Sequence, residues 1–423
     1  MRQRPTQKKK SIKRFKSTLE TIIERNSLSN SGSSTPRTPR TPRKPRSYKI
    51  NKLIPFVDKT FYNGLQNMEE RIRKLRELLH ATNLLVEAED EVAWLEQVST
   101  FTRTPGQEGS FAEIHTGNYN TDKELVPCVL KKLNTRKYIE SEITNYVIAQ
   151  QLCPNGVCNI VNVYIPQNSA EPIQILMYNC GRTIKTVKEE LGYTKIQKEW
   201  MINICKWGLD LCKILECIHS NDMAYLDLRP ENIVIHNKTA KLIDFGLSRF
   251  GREPETHVAG SPYYLPPEMS LNELCYFSVS DIFSFGVLIY HLLVPYKIDP
   301  ITSKPKPPPV LNSPLLTETI KNNLSKKNKD WQKLPLDDYE HLIMETYNQI
   351  SYFDVLLYND WITEKMQTML MTGAHRRIFL LIRHMTLFNT DLRPSIPIIK
   401  IELEEIGYTL GNYFTKEYKI GWE

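Results

Sequence analysis

Residues 225–246 read YLDLRPENIVIHNKTAKLIDFG. Two short apolar runs, Ile233 to Ile235 and Leu242 to Ile243, flank a polar turn from His236 to Thr239. That is the pattern of a β-hairpin. A hairpin here brings the loop before it, with Asp227 and Asn232, close to the loop after it, with Asp244. Two carboxylates and an amide oxygen then converge on one point. Hard oxygen donors of this kind suit Mg²⁺, which usually reaches a protein together with substrate phosphates. A carboxylate beside the metal can also accept a proton from an attacking hydroxyl. The chemistry indicated is phosphoryl transfer.

The same stretch resembles the catalytic loop (HRDLKPEN type) and the DFG motif of eukaryotic-type protein kinases. The resemblance implies Asp227 as catalytic base, Asn232 as second metal ligand and Asp244 as main metal ligand. Arg229 takes the place of the usual lysine two residues after the base, keeping its charge and offering two donors to phosphate. Leu226 replaces the arginine that, in many kinases, pairs with a phosphorylated activation segment. Its presence implies a segment ordered without phosphorylation. Tyr225 stands for the histidine.

Other stretches carry the resemblance in the family's order. Residues 104–114 read TPGQEGSFAEI, where glycine lets backbone N–H groups approach phosphate oxygens. Gly109 fits the second glycine of the kinase glycine-rich loop and Phe111 its tip, with Ser110 between them and Ile114 beyond. Gln107 stands where the first glycine belongs, and Ala112 replaces the third. Residues 126–133, VPCVLKKL, are similar to the VAIK strand. Lys131 would bind the α and β phosphates, with Lys132 as the alternative. Strand alternation puts Val129 and Lys131 on one face. Glu142 resembles the helix-C glutamate that pairs with that lysine, with Glu140 as its alternative. Met177 falls near the gatekeeper. Tyr178 to Cys180, including Asn179, fall at the hinge where backbone groups hold adenine.

Residues 260–268, GSPYYLPPE, resemble GTPxYxAPE. Ser261 fits the small hydroxyl residue that steadies the catalytic aspartate in Ser/Thr kinases. Asp281 looks like the helix-F aspartate that anchors the catalytic loop, and Arg393 like the arginine that pairs with Glu268. The expected fold is therefore α+β and two-lobed, with a small antiparallel-sheet lobe and a larger helical lobe. The resemblance implies a serine/threonine protein kinase that uses ATP and Mg²⁺ on protein substrates. A pseudokinase scaffold is the rival from another class. A small-molecule phosphotransferase shares the carboxylates but does not explain PPE or Asp281.

Composition sets the frame. The chain has 423 residues, 41% hydrophobic and 10% aromatic, as a protein with a sizeable core has. No apolar run approaches the ~18 residues of a membrane span. Eight scattered cysteines fit a reduced intracellular compartment, cytoplasmic or nuclear, and core burial accounts for Cys205, Cys212 and Cys217. Cys153 and Cys158 flank a turn with no matching second pair, which argues against zinc. The net charge of +7 is uneven. Residues 1–52 hold sixteen Lys/Arg against Glu20 and Glu24, a local +14, which leaves −7 for the rest.

The domain reading follows. Residues 1–52 form a basic tail, expected to be disordered. Its run TPRTPRTPRKPR at 35–46 suits a polyproline II strip, a nucleic-acid or import-receptor contact, or a set of proline-directed phosphoacceptors. Residues 53–97 form a helical extension, read as a brace on the small lobe. The kinase-like domain covers 98–410, with a small lobe over 98–178 and a large lobe over 182–410. A Pro- and Lys-rich insert lies at 295–345, and 411–423 form a C-terminal tail. The insert is read as a decoration packed on the large lobe, with partner docking as the alternative.

Overall fold

The computed structural model describes residues 68–411, apart from 105–111, 122–123, 134–138, 169–170, 192–197, 252–259, 271–274, 295–296, 299–304, 307–312, 331–333, 335 and 355–372. The basic tail, the start of the helical extension, Gly109, Ser110, Phe111, Trp331, Trp361 and the C-terminal tail from 412 lie outside the described residues.

The extension supplies two helices, α1 (Met68–Ala81) and α2 (Glu91–Ser99). The small-lobe sheet follows, with β1 (Thr102–Arg103), β2 (Ala112–Asn120), β3 (Leu125–Leu133), the helix α3 (Ile139–Leu152), β4 (Ile160–Tyr164) and β5 (Ile173–Tyr178). Its strand order is β1-β2-β3-β5-β4, antiparallel throughout. Strand alternation decides what each face meets. Cys128 and Leu130 point to the outer face, where they pack with Trp94 and Val98 of α2, Tyr164 and Leu176. Trp94 stacks on Tyr164 at 5.1 Å. The inner face receives α3.

Helix α1 reads as an amphipathic helix because Leu75, Leu78 and Leu79 recur at three- and four-residue spacing. All three are fully buried in the main core. Arg71 of α1 meets the buried Glu140 of α3 at 2.8 Å, and Arg76 donates to the Ile165 carbonyl at 2.7 Å. The chain then runs beside β4, with Val86 N donating to Val163 O and Val163 N to Leu84 O. The extension thus packs on both α3 and the sheet, as a brace does.

The large lobe begins with β6 (Arg182–Thr183), α4 (Ile184–Leu191) and α5 (Lys198–His219). Next come β7 (Met223–Ala224), the hairpin β8 (Ile233–His236) and β9 (Thr239–Leu242), then β10 (Arg249–Phe250). The hairpin register pairs Ile233 with Leu242 and His236 with Thr239, the turn anticipated from sequence. After α6 (Pro267–Ser270) comes α7 (Phe277–Leu293), buried along almost its whole length, as its mostly apolar sequence favours. The strands β11 (Lys297–Ile298) and β12 (Pro305–Lys306) pair antiparallel. Helices α8 (Ser313–Lys327), α9 (Leu336–Gln349), α10 (Gly373–Met385) and α11 (Ile396–Leu410) complete the lobe.

Three sequence expectations need adjustment. The Pro- and Lys-rich start of the 295–345 insert, read as an extended loop at 295–313, contains the β11–β12 pair, with Lys297 and Ile298 opposite Lys306 and Pro305. The insert boundary at 345 falls inside α9, whose periodic pattern runs on to Gln349. Just beyond α9, Tyr352 packs on Phe283 at 5.9 Å and Phe353 on Phe379 at 5.6 Å, so both belong to the core. Burial alone accounts for Cys205 and Cys212, but Cys217 forms a disulfide with Cys153, and Cys158 with Cys180. Sequence spacing could not reveal these pairs, because the partners are 64 and 22 positions apart and meet only through the fold.

Candidate active site

The hairpin β8–β9 does what its sequence requires: it closes one loop on the other. Ile243 N donates to Asn232 O at 3.0 Å, tying the residue before Asp244 to the loop that holds Asp227. Asn232 Nδ2 donates to the Asp227 carboxylate at 2.6 Å and to its carbonyl at 3.1 Å. That leaves the amide oxygen as the atom Asn232 can offer to a cation. Ser261 Oγ donates to Asp227 Oδ1 at 2.9 Å and itself accepts from Arg229 Nη1 at 2.7 Å. Asp227 is therefore held at both oxygens. Burial raises its pKa, the Ser261 and Asn232 hydrogen bonds and the Arg229 charge pull it back, and Asp244 adds to the rise.

Across the cleft, Lys131 settles both alternatives left open by the sequence. Its Nζ meets Glu142 at 2.5 Å and Asp244 Oδ2 at 3.4 Å. Glu140 turns the other way to Arg71, and alternation puts Lys132 on the opposite face of β3. Ile114 sits directly across the sheet from Lys131 in register, and Met177 lies opposite Val129 on the same face. Asn179 lies in the hinge that follows β5. Its N–H donates to Pro127 O at 2.9 Å, and its side-chain oxygen accepts from Gly181 N at 3.0 Å. The Asn179 N–H and side-chain oxygen are thus used inside the hinge, and its carbonyl is the backbone group it could offer to adenine. Gly181 has φ +96, and a Cβ there would lie 2.6 Å from the Ile235 carbonyl, so only glycine lets the hinge settle on β8.

The backbone around the carboxylates is unusual and firmly held. Leu226 has φ +67 and Asp244 φ +63, left-handed conformations that L-residues rarely adopt. Asp281 of α7, fully buried, fixes the first of them: its oxygens accept from Tyr225 N at 2.8 Å and Leu226 N at 2.7 Å. His219 Nε2 lies 2.8 Å from the same carboxylate. The Leu226 side chain then packs with Ala224, Met269, Cys275 and Phe277.

Sequence reading missed three contributors, Asn145, Tyr146 and His219. Asn145 of α3 donates to the carbonyls of Phe245 and Ser248 at 3.2 and 2.9 Å, tying α3 to the chain after Asp244. Tyr146 and Tyr225 each pack edge-on to Phe245 at 5.1 Å, and the Tyr225 hydroxyl donates to Ile243 O. His219 buttresses Asp281. A polar residue on an apolar helix was the only available signal for Asn145; the other two looked like ordinary core.

The donor set fits Mg²⁺. Asp244 is half-exposed toward the cleft with one oxygen taking Gly246 N at 3.2 Å, and the Asn232 amide oxygen and Asp227 add further hard oxygens. Among the described residues no group of three or more His, Cys, Asp or Glu could hold a metal by itself. Among the described residues no helix is long and apolar enough to cross a membrane.

Comparison with known proteins agrees with the geometry. A family model described as the protein kinase domain matches residues 106–333, more than half of the chain. A protein of Drosophila melanogaster named death-associated protein kinase related is 28% identical over 208 residues, 47% of this chain and 30% of that one. The mouse serine/threonine-protein kinase DCLK3 is 30% identical over 196 residues, 44% and 23% of the two chains. The yeast cAMP-dependent protein kinase type 3 is 37% identical over 91 residues, 21% and 23% of the two chains. The chain spans less than a third of the length of these relatives. Together with a five-stranded antiparallel small lobe over a helical large lobe, the family match assigns the chain: it belongs to the eukaryotic-type protein kinase superfamily.

Proposed function

We propose that the protein is an ATP-dependent serine/threonine kinase that transfers the γ-phosphoryl group to hydroxyls of protein substrates. The observation that carries this reading is Asp227, held between Ser261 Oγ and Asn232 Nδ2 and facing a cleft that also presents Lys131 and Asp244. A substrate hydroxyl beside Asp227 would be oriented by the carboxylate and lose its proton to it as the phosphorus–oxygen bond forms. Lys131, kept in place by Glu142, would bind phosphate oxygens of the nucleotide. Burial works against its charge, but Asp244 and Glu142 outweigh that and raise its pKa above the ordinary value, so it stays cationic. Arg229 would offset charge near the transferred group. Asp244 and Asn232 would hold Mg²⁺, which when bound neutralises phosphate charge. The Arg229–Ser261–Asp227 chain supports Ser/Thr specificity, matching the name of the mouse relative.

The test is transfer of labelled γ-phosphate from ATP-Mg to a basic generic protein, followed by phosphoamino-acid analysis. Label on serine and threonine supports the proposal. Label on tyrosine alone overturns the specificity, and no transfer with nucleotide still bound favours a scaffold.

Leu226 adds a regulatory expectation. With a leucine packed into an apolar cluster, the loop offers no guanidinium at this position to an activation-segment phosphate. Protein treated with phosphatase should keep its turnover within about twofold, since no charge-assisted contact of roughly 1.5–3 kcal/mol is lost there. A large loss that rephosphorylation restores would show that another cation reads the phosphate.

A further inference from the structure

Segment 153–158 straps the small lobe to the large one. It follows α3 and precedes β4, both in the small lobe, yet its backbone bonds to the large lobe. Leu242 N donates to Gly156 O at 2.9 Å, and Cys158 N donates to Leu242 O at 3.2 Å. A Cβ on Gly156 would lie 2.5 Å from Ile214 of α5, so the strap rests flat on that helix. A disulfide leaves from each end. Cys153 is bonded to Cys217 of α5, and Cys158 to Cys180 in the hinge between β5 and β6. Cys158 and Cys180 pack with Val234 and Ile243, the second of which adjoins Asp244.

The position of the Cys158–Cys180 bond makes it dispensable for the fold. It closes 22 positions of chain that other contacts already close. Ile160 pairs with Met177, and Tyr178 N donates to Asn159 O at 3.1 Å. Breaking the sulfur link therefore leaves strap and hinge in place but free to move against each other. The remaining described cysteines are poor competitors. Cys128, Cys205, Cys212 and Cys275 lie outside the two disulfides and are buried; Cys158 and Cys180 are also buried, 3% and 6% exposed, but face each other, so exchange reaches them when strap and hinge part. Burial pushes the Cys128 and Cys205 thiols up to about 11 and about 12 and Cys212 higher still, so they stay protonated and unreactive.

We propose that the strap is a redox-modification site: the Cys158–Cys180 bond, backed by Cys153–Cys217, forms and breaks by thiol–disulfide exchange, and its formation stiffens the joint between the lobes. A small-molecule disulfide serves as oxidant. The two cysteine thiols lose two protons and two electrons and become one S–S bond, and the oxidant is reduced to two thiols. A kinase must open to exchange nucleotide, and such opening commonly limits turnover. The effect on turnover rests on the kinase reading; the stiffening does not.

The experiment uses the full chain in glutathione buffers, oxidising and reducing. Differential alkylation maps which cysteines are paired, hydrogen exchange reads residues 178–182, and phosphoryl transfer is followed in parallel. Expected in the oxidising buffer are protection of Cys158 and Cys180 from alkylation, about tenfold slower exchange at the hinge and about fivefold lower kcat, all reversed by reduced glutathione. Cys158→Ser should show no difference between buffers at the hinge. Alkylation of Cys158 and Cys180 in both buffers overturns the proposal, and so does pairing with unchanged hinge exchange or, in an active enzyme, unchanged kcat. Slowed exchange in a chain that transfers no phosphate in either buffer would uphold the joint and defeat the kinase reading.

Discussion

Asp227→Asn should reduce phosphoryl transfer about 10³-fold, within the 10²–10⁴ that a positioned general base supplies, while nucleotide affinity stays unchanged. Asparagine keeps the shape and still accepts the Ser261 hydroxyl, so a fold defect is not the cause of the loss. A variant that kept a tenth of the rate would remove Asp227 from the role of base. The pH profile provides a second check with a definite sign. The carboxylate must be ionised to accept a proton, and burial raises its pKa. The acid limb of kcat should therefore lie above the usual carboxylate range. Ser261→Ala removes a hydrogen bond that favours the ionised form, so it should move that limb further up.

Arg393→Ala should cost about 3–5 kcal/mol of stability, the range for removing one partner of a buried ion pair. The Arg393 and Glu268 side chains are 0% and 3% exposed, and the pair is bidentate at 2.6 and 2.7 Å. Arg393 also donates to the carbonyls of Leu387, Val279 and Phe388 and lies 5.1 Å from the centre of the Phe283 ring. Truncation leaves the Glu268 carboxylate with the Ser280 hydroxyl at 2.9 Å and no opposing charge. Arg377→Ala, which breaks a partly exposed pair with Glu402, should cost about 1 kcal/mol or less. The measurement is the denaturant midpoint of the two variants against wild type. Equal small shifts would mean that the buried pair's solvation cost cancels its attraction.

Much of this site was legible because its chemistry is local in sequence. Asp227, Arg229 and Asn232 lie within six residues, and the hairpin register delivers Asp244 to them without help from distant parts of the chain. Lys131 and Glu142 were found from residue type, and the choice between neighbours needed the sheet and α3 in place. The limits of sequence reading are equally physical. Asn145 and His219 act by hydrogen-bonding groups 62 to 103 positions away, so no local pattern marks them. Asn179 was placed at the hinge by its spacing, but nothing local in sequence marks that its side chain closes a turn on Gly181 N. The disulfides failed to register because each joins elements that only the folded lobes bring together.

The packing of α5 against α11 carries a consequence for how the protein is made. Gly208 lets Leu403 come close, a Cβ there lying 2.8 Å from its Cδ1, so the helix at 198–219 finds its partner at 396–410. During synthesis the ribosome releases α5 long before α11 exists. At ~5–20 residues per second, that interval is on the order of tens of seconds. Through that time the face of α5 that Leu403 covers has no native partner, whereas the small lobe, whose sheet contacts are short in sequence, can already close. The large lobe thus completes its packing later than the small one, because α5 waits for α11.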